Sequence, residues 1–285
     1  MKWLSKALCT MCCCLALTSL LSVDAAAVEV PYAVTGGNIY FDTATGTITD
    51  CDSNVTVASI PSAIDSVPVT AIADYAFRDT RLNLVIIPSS VTTIGDYAFY
   101  NCRTLNTAAI RGSGLVSVGE YAFSRTVLRS VTLPDSVIEV GQRAFSDCTS
   151  LTSVSVGASA EAGTVSTVIG DEAFFQCTAL EKVVLGNGVT EIGESAFWYC
   201  KALKDLSLGS EIRSIGGFCF CQCTALTEVT IPDQVTTVKE QTFMDSGLTT
   251  VTIPASVTTI EAGAFYASTL SEVHYGGSPS EWKKI

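Results

Sequence analysis

The sequence predicts a β-rich repeat solenoid in which about nine similar units, or rungs, stack into one parallel sheet, with a β-hairpin cap at its start. A small residue followed by phenylalanine recurs nine times, at spacings of 22, 24, 22, 29, 23, 23, 23 and 22 residues. Around each phenylalanine the same alternation of apolar and polar residues returns. Such a period is typical of solenoids, because one unit cannot bury its apolar side chains alone. The phenylalanines are Phe77, Phe99, Phe123, Phe145, Phe174, Phe197, Phe220, Phe243 and Phe265.

The repeat unit reads L-x-x-V-x-I-P-x-x-V-x-x-I-x-x-x-A-F-x-x-C, and it is clearest from Val229 to Phe243 and from Val251 to Phe265. V-x-I predicts a short strand whose apolar side chains share one side. The proline ends the strand, because it has no N–H to offer to the ladder. The next V-x-x-I turns two apolar side chains inward, and the phenylalanine ring fills the space between rungs. We therefore expect short helical or irregular turns on the convex side, opposite the sheet.

Residues Ile87 to Phe99, IPSSVTTIGDYAF, and the eight related segments resemble the BspA-like type of leucine-rich repeat. The resemblance covers about residues 60–275, which is most of the chain. It implies an α/β leucine-rich-repeat solenoid, of a type common on surface proteins of gut and oral bacteria and of some protozoa. It also implies an extracellular adhesion or interaction role, without catalysis, cofactor or metal.

The first 27 residues have the pattern of a secretory signal peptide. Lys2 and Lys6 precede an apolar stretch from Ala7 to Val23, and the small residues Ala25 to Ala27 follow it. This pattern predicts cleavage after Ala27, with an uncleaved N-terminal anchor as the alternative. The mature protein is then secreted or associated with the cell surface.

Both ends of the mature chain depart from the repeat, which occupies residues 60–275. Residues 28–59 predict a capping hairpin with strands Asn38–Phe41 and Thr47–Thr49, joined by a turn that ends at Gly46. Residues 276–285 resemble the Tyr-Gly, Trp and Ile segment that closes such repeats. Two interpretations of this segment stay open, a bare C-terminal cap or a truncated piece of a longer protein.

The chain is acidic, with a net charge of −12 at pH 7. This charge argues against nucleic acid as a partner, because phosphate binding requires a positive surface. No stretch after the signal peptide approaches the roughly 20 apolar residues that span a bilayer. We expect a monomeric mature chain without a membrane span.

Eight cysteines follow the signal peptide, and five of them fall three residues before the repeat leucine. Counted in the same way, this slot holds Asp79, Arg125, Asp245 or Ala267 in other rungs. A periodic cysteine is expected to be a small buried residue. Export would permit disulfides, but we favour free thiols, because parallel stacked side chains have poor disulfide geometry. The five are Cys102, Cys148, Cys177, Cys200 and Cys223.

Candidate chemistry is sparse. Cys219, Cys221 and Cys223 form the one cluster that suggests a metal, but zinc takes four ligands and no histidine or CxxC pair lies nearby. The single histidine, His274, is at an outward strand position without a nucleophile to form a triad. We predict no catalytic residue, no cofactor and no metal.

The 29-residue spacing comes from an insertion at Gly157 to Thr167, which is rich in small residues. It is either a tolerated surface loop or a binding protrusion. The loop is favoured, because the segment has no aromatic or arginine anchor of the kind that interfaces use.

The third and fifth residues of L-x-x-V-x-I point outward and form two columns on the sheet. Nine of these eighteen residues are Ser or Thr, and none is aromatic or arginine. The columns therefore predict broad, weak contact with an extracellular protein or glycan. Two alternatives are a spacer or stalk that presents a downstream module, and the non-catalytic part of a larger surface enzyme. The candidate interaction residues are Thr107, Ser130, Thr132, Ser153, Ser155, Lys182, Asp205, Ser207, Glu228, Thr230, Thr250 and Thr252.

Overall fold

A computed structural model describes residues 28–285, so the predicted signal peptide lies outside the described residues. The described chain is a β-solenoid of about ten turns, which confirms the predicted fold class. Each rung contains a long strand, a short strand and, between them, a turn centred on the repeat phenylalanine. We call this last segment the phenylalanine turn.

The cap has three antiparallel strands rather than the two that the sequence predicts. The predicted hairpin is present as β2 (Gly37–Asp42) and β3 (Thr47–Cys51), and β1 (Glu29–Val34) pairs with β2. Ile39 and Phe41 of β2 are fully buried, so the cap covers the apolar start of the repeats. Four short strands follow, β4 (Val57–Ser59), β5 (Ala63–Ile64), β6 (Val67–Pro68) and β7 (Ala71–Ile72).

The long strands pair in parallel and in register, as the V-x-I pattern predicts. They form three separate sheets, in the orders β4-β8-β10, β12-β14-β16-β18 and β20-β22-β24, where the sequence predicts one continuous sheet. The break between β10 and β12 lies where the repeat changes length. The segment that follows β10 is one residue longer than the one that follows β8, and the phenylalanine turn before β12 is one residue shorter than the one before β10. The strands are β8 (Leu84–Ile87), β10 (Thr107–Ile110), β12 (Ser130–Leu133), β14 (Ser153–Val156), β16 (Lys182–Leu185), β18 (Asp205–Leu208), β20 (Glu228–Thr230), β22 (Thr250–Ile253) and β24 (Glu272–Tyr275).

A second parallel sheet, which the repeat pattern does not predict, lies on the return path. This sheet begins with the cap strands β1 to β3 and continues with β7 and the odd-numbered short strands from β9 to β19. The last two short strands, β21 and β23, form a separate pair. Most of these strands have only two residues, which is too short to show the alternation that identifies a strand in a sequence. They are β9 (Thr93–Ile94), β11 (Ser117–Val118), β13 (Glu139–Val140), β15 (Thr167–Ile169), β17 (Val189–Ile192), β19 (Ser214–Ile215), β21 (Thr237–Val238) and β23 (Thr259–Ile260).

The phenylalanine turns are irregular, and within residues 28–285 the one α-helix is α1 (Pro279–Trp282). Each turn has a left-handed residue two positions before the phenylalanine and another two positions after it, such as Tyr75 (φ 64°) and Asp79 (φ 59°). Between these, the backbone N–H of Phe77 donates to the carbonyl of Ala98 in the next rung at 2.7 Å. Three such bonds join every pair of neighbouring turns from Phe77 to Phe265. This ladder is continuous where the long-strand sheets are interrupted.

The phenylalanine rings form one stacked column through the core. Neighbouring ring centroids are 4.9 to 5.2 Å apart from Phe77 to Phe197 and 5.5 Å apart from there to Phe265. The rings from Phe77 to Phe243 are at most 1% exposed. Burial of a phenylalanine side chain contributes about 1.5–3 kcal/mol, so this column is a main source of stability.

The five periodic cysteines are buried, and all eight cysteines after the signal peptide are free thiols. Each periodic thiol donates to the phenylalanine carbonyl of the preceding rung, as Cys102 does to Phe77 at 2.9 Å and Cys148 to Phe123 at 3.2 Å. The same contact recurs at Cys177, Cys200 and Cys223.

The assignment of Asp79, Arg125, Asp245 and Ala267 to the cysteine slot is wrong. These rungs have one residue fewer between phenylalanine and leucine, so the slot follows the phenylalanine and not the leucine. The four residues are instead the left-handed residues after the phenylalanine. Three residues after the phenylalanine, the slot holds Thr80, Thr126, Ser246 and Ser268.

Candidate interaction surfaces

The twelve predicted interaction residues lie on the outer side of the long strands, which we call the strand face. None of the twelve is buried. Ser130 pairs with Ser153 and Thr132 with Ser155, whereas Val131 between them is 7% exposed. The sheet breaks divide the twelve into three groups. These are Thr107 on the first sheet, Ser130, Thr132, Ser153, Ser155, Lys182, Asp205 and Ser207 on the second, and Glu228, Thr230, Thr250 and Thr252 on the third.

A cleft of about 480 Å³ opens in the strand face between β18 and β20. Leu206 and Leu208 of β18 are partly exposed in it, although the paired residues of β16, Val183 and Leu185, are fully buried. The cleft therefore combines an apolar wall with a hydroxyl-rich rim, as ligand sites commonly do. Its lining includes five of the predicted residues, Ser207, Glu228, Thr230, Thr250 and Thr252.

A second candidate surface lies on the phenylalanine turns, outside the strand positions predicted from the sequence. Tyr75, Tyr97 and Tyr121 occupy the left-handed position before the phenylalanine in three successive rungs. Their rings stack at 5.2 and 4.7 Å. The ring of Tyr100 meets Tyr97 edge-on at 5.3 Å. Non-glycine residues at positive φ are uncommon, so bulky rings stand here where glycine or asparagine would be less strained.

Three arginines cover these rings, and together the seven side chains form what we call the tyrosine–arginine ridge. The guanidinium of Arg78 lies 5.5 Å from the ring centroids of both Tyr75 and Tyr100. Arg125 lies 5.7 Å from Tyr100, and Arg143 lies 5.7 Å from Tyr121. Tyrosine and arginine dominate binding hot spots. The sequence carries a signal of this surface, since tyrosine stands two residues before Phe77, Phe99 and Phe123, but these positions lie outside the strands from which the outward face is predicted.

Carboxylates neutralise the arginines of the ridge. Arg143 donates to Glu172 with Nη2 and the carboxylate oxygen 2.6 Å apart, and this hydrogen bond raises the pKa of Arg143 further. Arg78 pairs with Asp79 at 3.1 Å, and Arg125 approaches Asp147 at 3.6 Å. Burial, followed by the neighbouring phenols, raises the pKa of Tyr97, so its hydroxyl stays protonated at neutral pH. The ridge is therefore nearly neutral, although the whole protein is acidic.

The cysteines and the histidine do not assemble into a reactive site. Burial raises the pKa of the Cys102 and Cys148 thiols to about 11, which removes the thiolate that acts as a nucleophile. His274 is exposed on β24 and lies 3.1 Å from the Glu272 carboxylate. In residues 28–285, no three cysteine, histidine, aspartate or glutamate side chains are grouped to hold a metal ion.

In the part of the chain that the structure describes, none of the helices has the length and hydrophobicity that a bilayer span requires.

Stacked rungs, one long strand per rung and an outward face of short polar residues together define a leucine-rich-repeat solenoid. The profile of the BspA type leucine-rich repeat region matches residues 70–164 and 159–272, in six copies. These matches span more than half of the chain, and the chain belongs to this family of leucine-rich-repeat proteins.

The chain is also similar to several solved structures. A leucine-rich-repeat protein of Treponema pallidum is 33% identical and superposes with a TM-score of 0.56, covering 63% of this chain and 82% of that one. A leucine-rich cell surface protein of Faecalibacterium prausnitzii is 23% identical, with a TM-score of 0.43, and covers 90% and 98% of the two chains. A leucine-rich-repeat protein of Bacteroides capillosus is 30% identical over 38% of this chain and 84% of its own, with a TM-score of 0.33. A search of curated proteins gave no match.

Proposed function

We propose that the chain is a secreted or cell-surface binding module that holds an extracellular protein or glycan on its strand face, without catalysis. The signal-peptide pattern of residues 1–27 supports export, and membership of the BspA type family supports an interaction role. Residues 28–59 then serve as the cap, 60–275 as the binding solenoid and 276–285 as its closing segment.

One observation carries the choice of surface. The cleft between β18 and β20 combines partly exposed Leu206 and Leu208 with the outward side chains of Ser207, Glu228 and Thr230. Elsewhere on the middle sheet, the inward apolar residues of β12, β14 and β16 are buried. A concave site with apolar and polar lining offers more binding energy than a flat polar surface.

Residues 28–285 would be tested against a panel of extracellular-matrix proteins, mucins and glycans by biolayer interferometry. We expect saturable binding to at least one member, and a loss of at least tenfold when Thr230→Arg fills the cleft. Thr107→Arg places the same side chain on a different sheet and is the matched control, expected to retain binding.

Absence of any saturable ligand in the panel would favour the spacer or stalk. Equal loss from Thr107→Arg and Thr230→Arg would contradict the cleft as the binding site. Repeated display of the module on a cell could raise avidity when single contacts are weak.

A further inference from the structure

One rung is shorter than its two neighbours at the edge of the solenoid where the phenylalanine turn leads into the long strand. The repeat leucine follows Phe123 by five positions, but it follows Phe99 and Phe145 by six. The shorter rung leaves a recess between the two longer ones, beside the break between β10 and β12. This recess is a cavity of about 470 Å³, which we call the notch. The notch is lined by Asn106, Val127, Arg129, Ser150 and Thr152.

The notch contains hydrogen-bond donors that the protein itself does not use. Within residues 28–285, no protein group accepts a hydrogen bond from the guanidinium of Arg129, the amide nitrogen of Asn106 or the hydroxyl of Ser150. Asn106 is held by its side-chain oxygen, which accepts from the Thr107 hydroxyl at 2.8 Å. Three donors that line one cavity, one of them charged, suit an oxyanion.

No carboxylate neutralises the notch. Its five lining residues include no aspartate or glutamate. In the column of residues directly after the repeat leucine, Arg129 stands between Asn106 and Thr152. The next residue in this column, Glu181, is already paired with Lys204 at 2.7 Å. Arg129 forms no ion pair in the described part of the chain, whereas the arginines of the tyrosine–arginine ridge all have carboxylate partners.

The charge around the notch is positive, although the chain is acidic. Residues 78–143 contain seven arginines and five aspartates or glutamates, a net charge of +2 in a chain with a net charge of −12. Arg81 and Arg103 lie just before the repeat leucines of the two preceding rungs, and among residues 28–285 they too have no carboxylate partner. Salt screens exposed charges beyond about 8 Å at physiological ionic strength. The nearby arginines therefore decide which ligands the notch attracts.

We propose that the notch is a subsite for one sulfate group of a sulfated glycan. Arginine donates to oxyanions through two parallel N–H groups. A sulfate ester has three free oxygens for the donors of Arg129, Asn106 and Ser150, whereas a carboxylate has two. The half-buried Val127 offers an apolar surface to the attached sugar, and the volume of the notch is within the range of about 300–1,000 Å³ that small ligands occupy.

The subsite rests on the proposed binding function and deepens it, because it names the class of glycan that the module holds. It lies beside the break between β10 and β12, whereas the cleft of the strand face lies between β18 and β20.

Microscale thermophoresis with a chondroitin 4-sulfate hexasaccharide would test the subsite on residues 28–285, at about 0.15 M salt. The unsulfated chondroitin hexasaccharide has the same sugars and carboxylates, so the comparison isolates the sulfate. We expect the sulfated form to bind at least tenfold more tightly, and Arg129→Gln to lower its affinity at least tenfold. Arg213→Gln removes the same charge from an arginine outside the notch whose side chain is 62% exposed, and it should leave the affinity unchanged.

Asn106→Asp is the second variant, because it replaces an exposed donor by a carboxylate of the same size. We expect it to weaken binding of the sulfated hexasaccharide at least tenfold. Asn187→Asp makes the same change outside the notch and is the matched control. The side-chain oxygen of Asn187 accepts from the Ser210 N–H at 3.0 Å, which aspartate can also do, so the affinity should be retained.

Three results would overturn the subsite: no binding of the sulfated hexasaccharide, equal affinity for the two hexasaccharides, or equal loss in Arg129→Gln and Arg213→Gln. Equal affinity for a thymidylate hexanucleotide would also overturn it, because the notch would then attract any polyanion. A panel ligand that is lost in Thr230→Arg but kept in Arg129→Gln would support the proposed function by itself. Failure of the subsite and failure of the proposed function are therefore distinguishable.

Discussion

Cys219 occupies the position at which the six preceding rungs have alanine, and Phe220 beside it is the first ring of the column with the wider spacing of 5.5 Å. Alanine allows neighbouring backbones to approach closely, whereas a thiol needs more room. Thr242 fills the same position in the next rung, and the spacing there is also 5.5 Å. The wider spacing begins at the junction where the long-strand sheet is interrupted, between β18 and β20.

The open junction predicts faster amide hydrogen exchange at the two strands that border it. Amides of β18 and β20 should exchange at least tenfold faster than those of β14 and β16, because an unpaired strand edge is exposed to water. Hydrogen exchange followed by mass spectrometry of residues 28–285 measures this. Equal protection across the four strands would mean that the sheet is continuous in solution.

The stacked phenylalanines predict a large loss of stability when one is removed. Phe145→Ala deletes a ring that is 1% exposed, and it should lower the free energy of unfolding by about 3–5 kcal/mol. Urea unfolding followed by circular dichroism measures the change. Tyr266→Ala, at a site that is 68% exposed, is the control and should alter the free energy by less than about 0.5 kcal/mol. Similar effects of the two substitutions would show that the column does not hold the rungs together.

The buried thiols predict protection from alkylation. Iodoacetamide should leave the buried cysteines of the folded protein unmodified near neutral pH, because burial suppresses the thiolate. After unfolding without reductant, all eight cysteines of residues 28–285 should react. Mass spectrometry counts the modified residues. Fewer than eight in the unfolded protein would reveal disulfides, contrary to the free thiols of the structure.

The same burial predicts that alkaline pH destabilises the fold. The pKa of the Cys102 and Cys148 thiols is raised to about 11, whereas a thiol of an unfolded chain titrates near 8.5. Above about pH 8.5 the unfolded chain loses protons that the folded chain keeps, so the free energy of unfolding falls as pH rises and this contribution is lost through about pH 11.

Urea unfolding at several pH values between about 8 and 11 measures how steeply the free energy of unfolding falls as pH rises. Replacement of Cys102 and Cys148 by threonine should make this fall less steep while the fold is retained. Threonine already occupies the same position, three residues after the repeat phenylalanine, at Thr80 and Thr126. An unchanged slope would assign the pH dependence to other groups.

The sequence predicts the repeat, the inward residues and the long strands because Val and Ile alternate with polar residues over several positions. It does not predict the second sheet, since a pair such as Thr93–Ile94 is too short for any period to appear. The left-handed positions are also hidden. Tyr75 and Asp79 give no sequence signal of positive φ, which glycine would have given.

The candidate surfaces are predicted in part. The outward direction of Ser207 and Thr230 follows from strand alternation. The cleft that they line depends on the spacing between neighbouring rungs, which no short segment of the sequence reveals. The tyrosine–arginine ridge requires knowledge that residues 22 to 24 apart stack side by side.

The backbone ladder of the phenylalanine turns has one direction throughout. Every N–H at three positions of a turn points toward the next rung, so the peptide dipoles add along the axis instead of alternating as in a β-sheet. This row of aligned peptide groups starts with the carbonyls of Asp74, Ala76 and Arg78 in the first turn. It ends with the N–H groups of Gly263, Phe265 and Ala267 in the last turn. The phenylalanine turns are therefore polarised with their positive end at the C-terminal rung, the reverse of an α-helix. On the return path, N–H groups such as that of Gly95, which donates to the Ile72 carbonyl, point the other way.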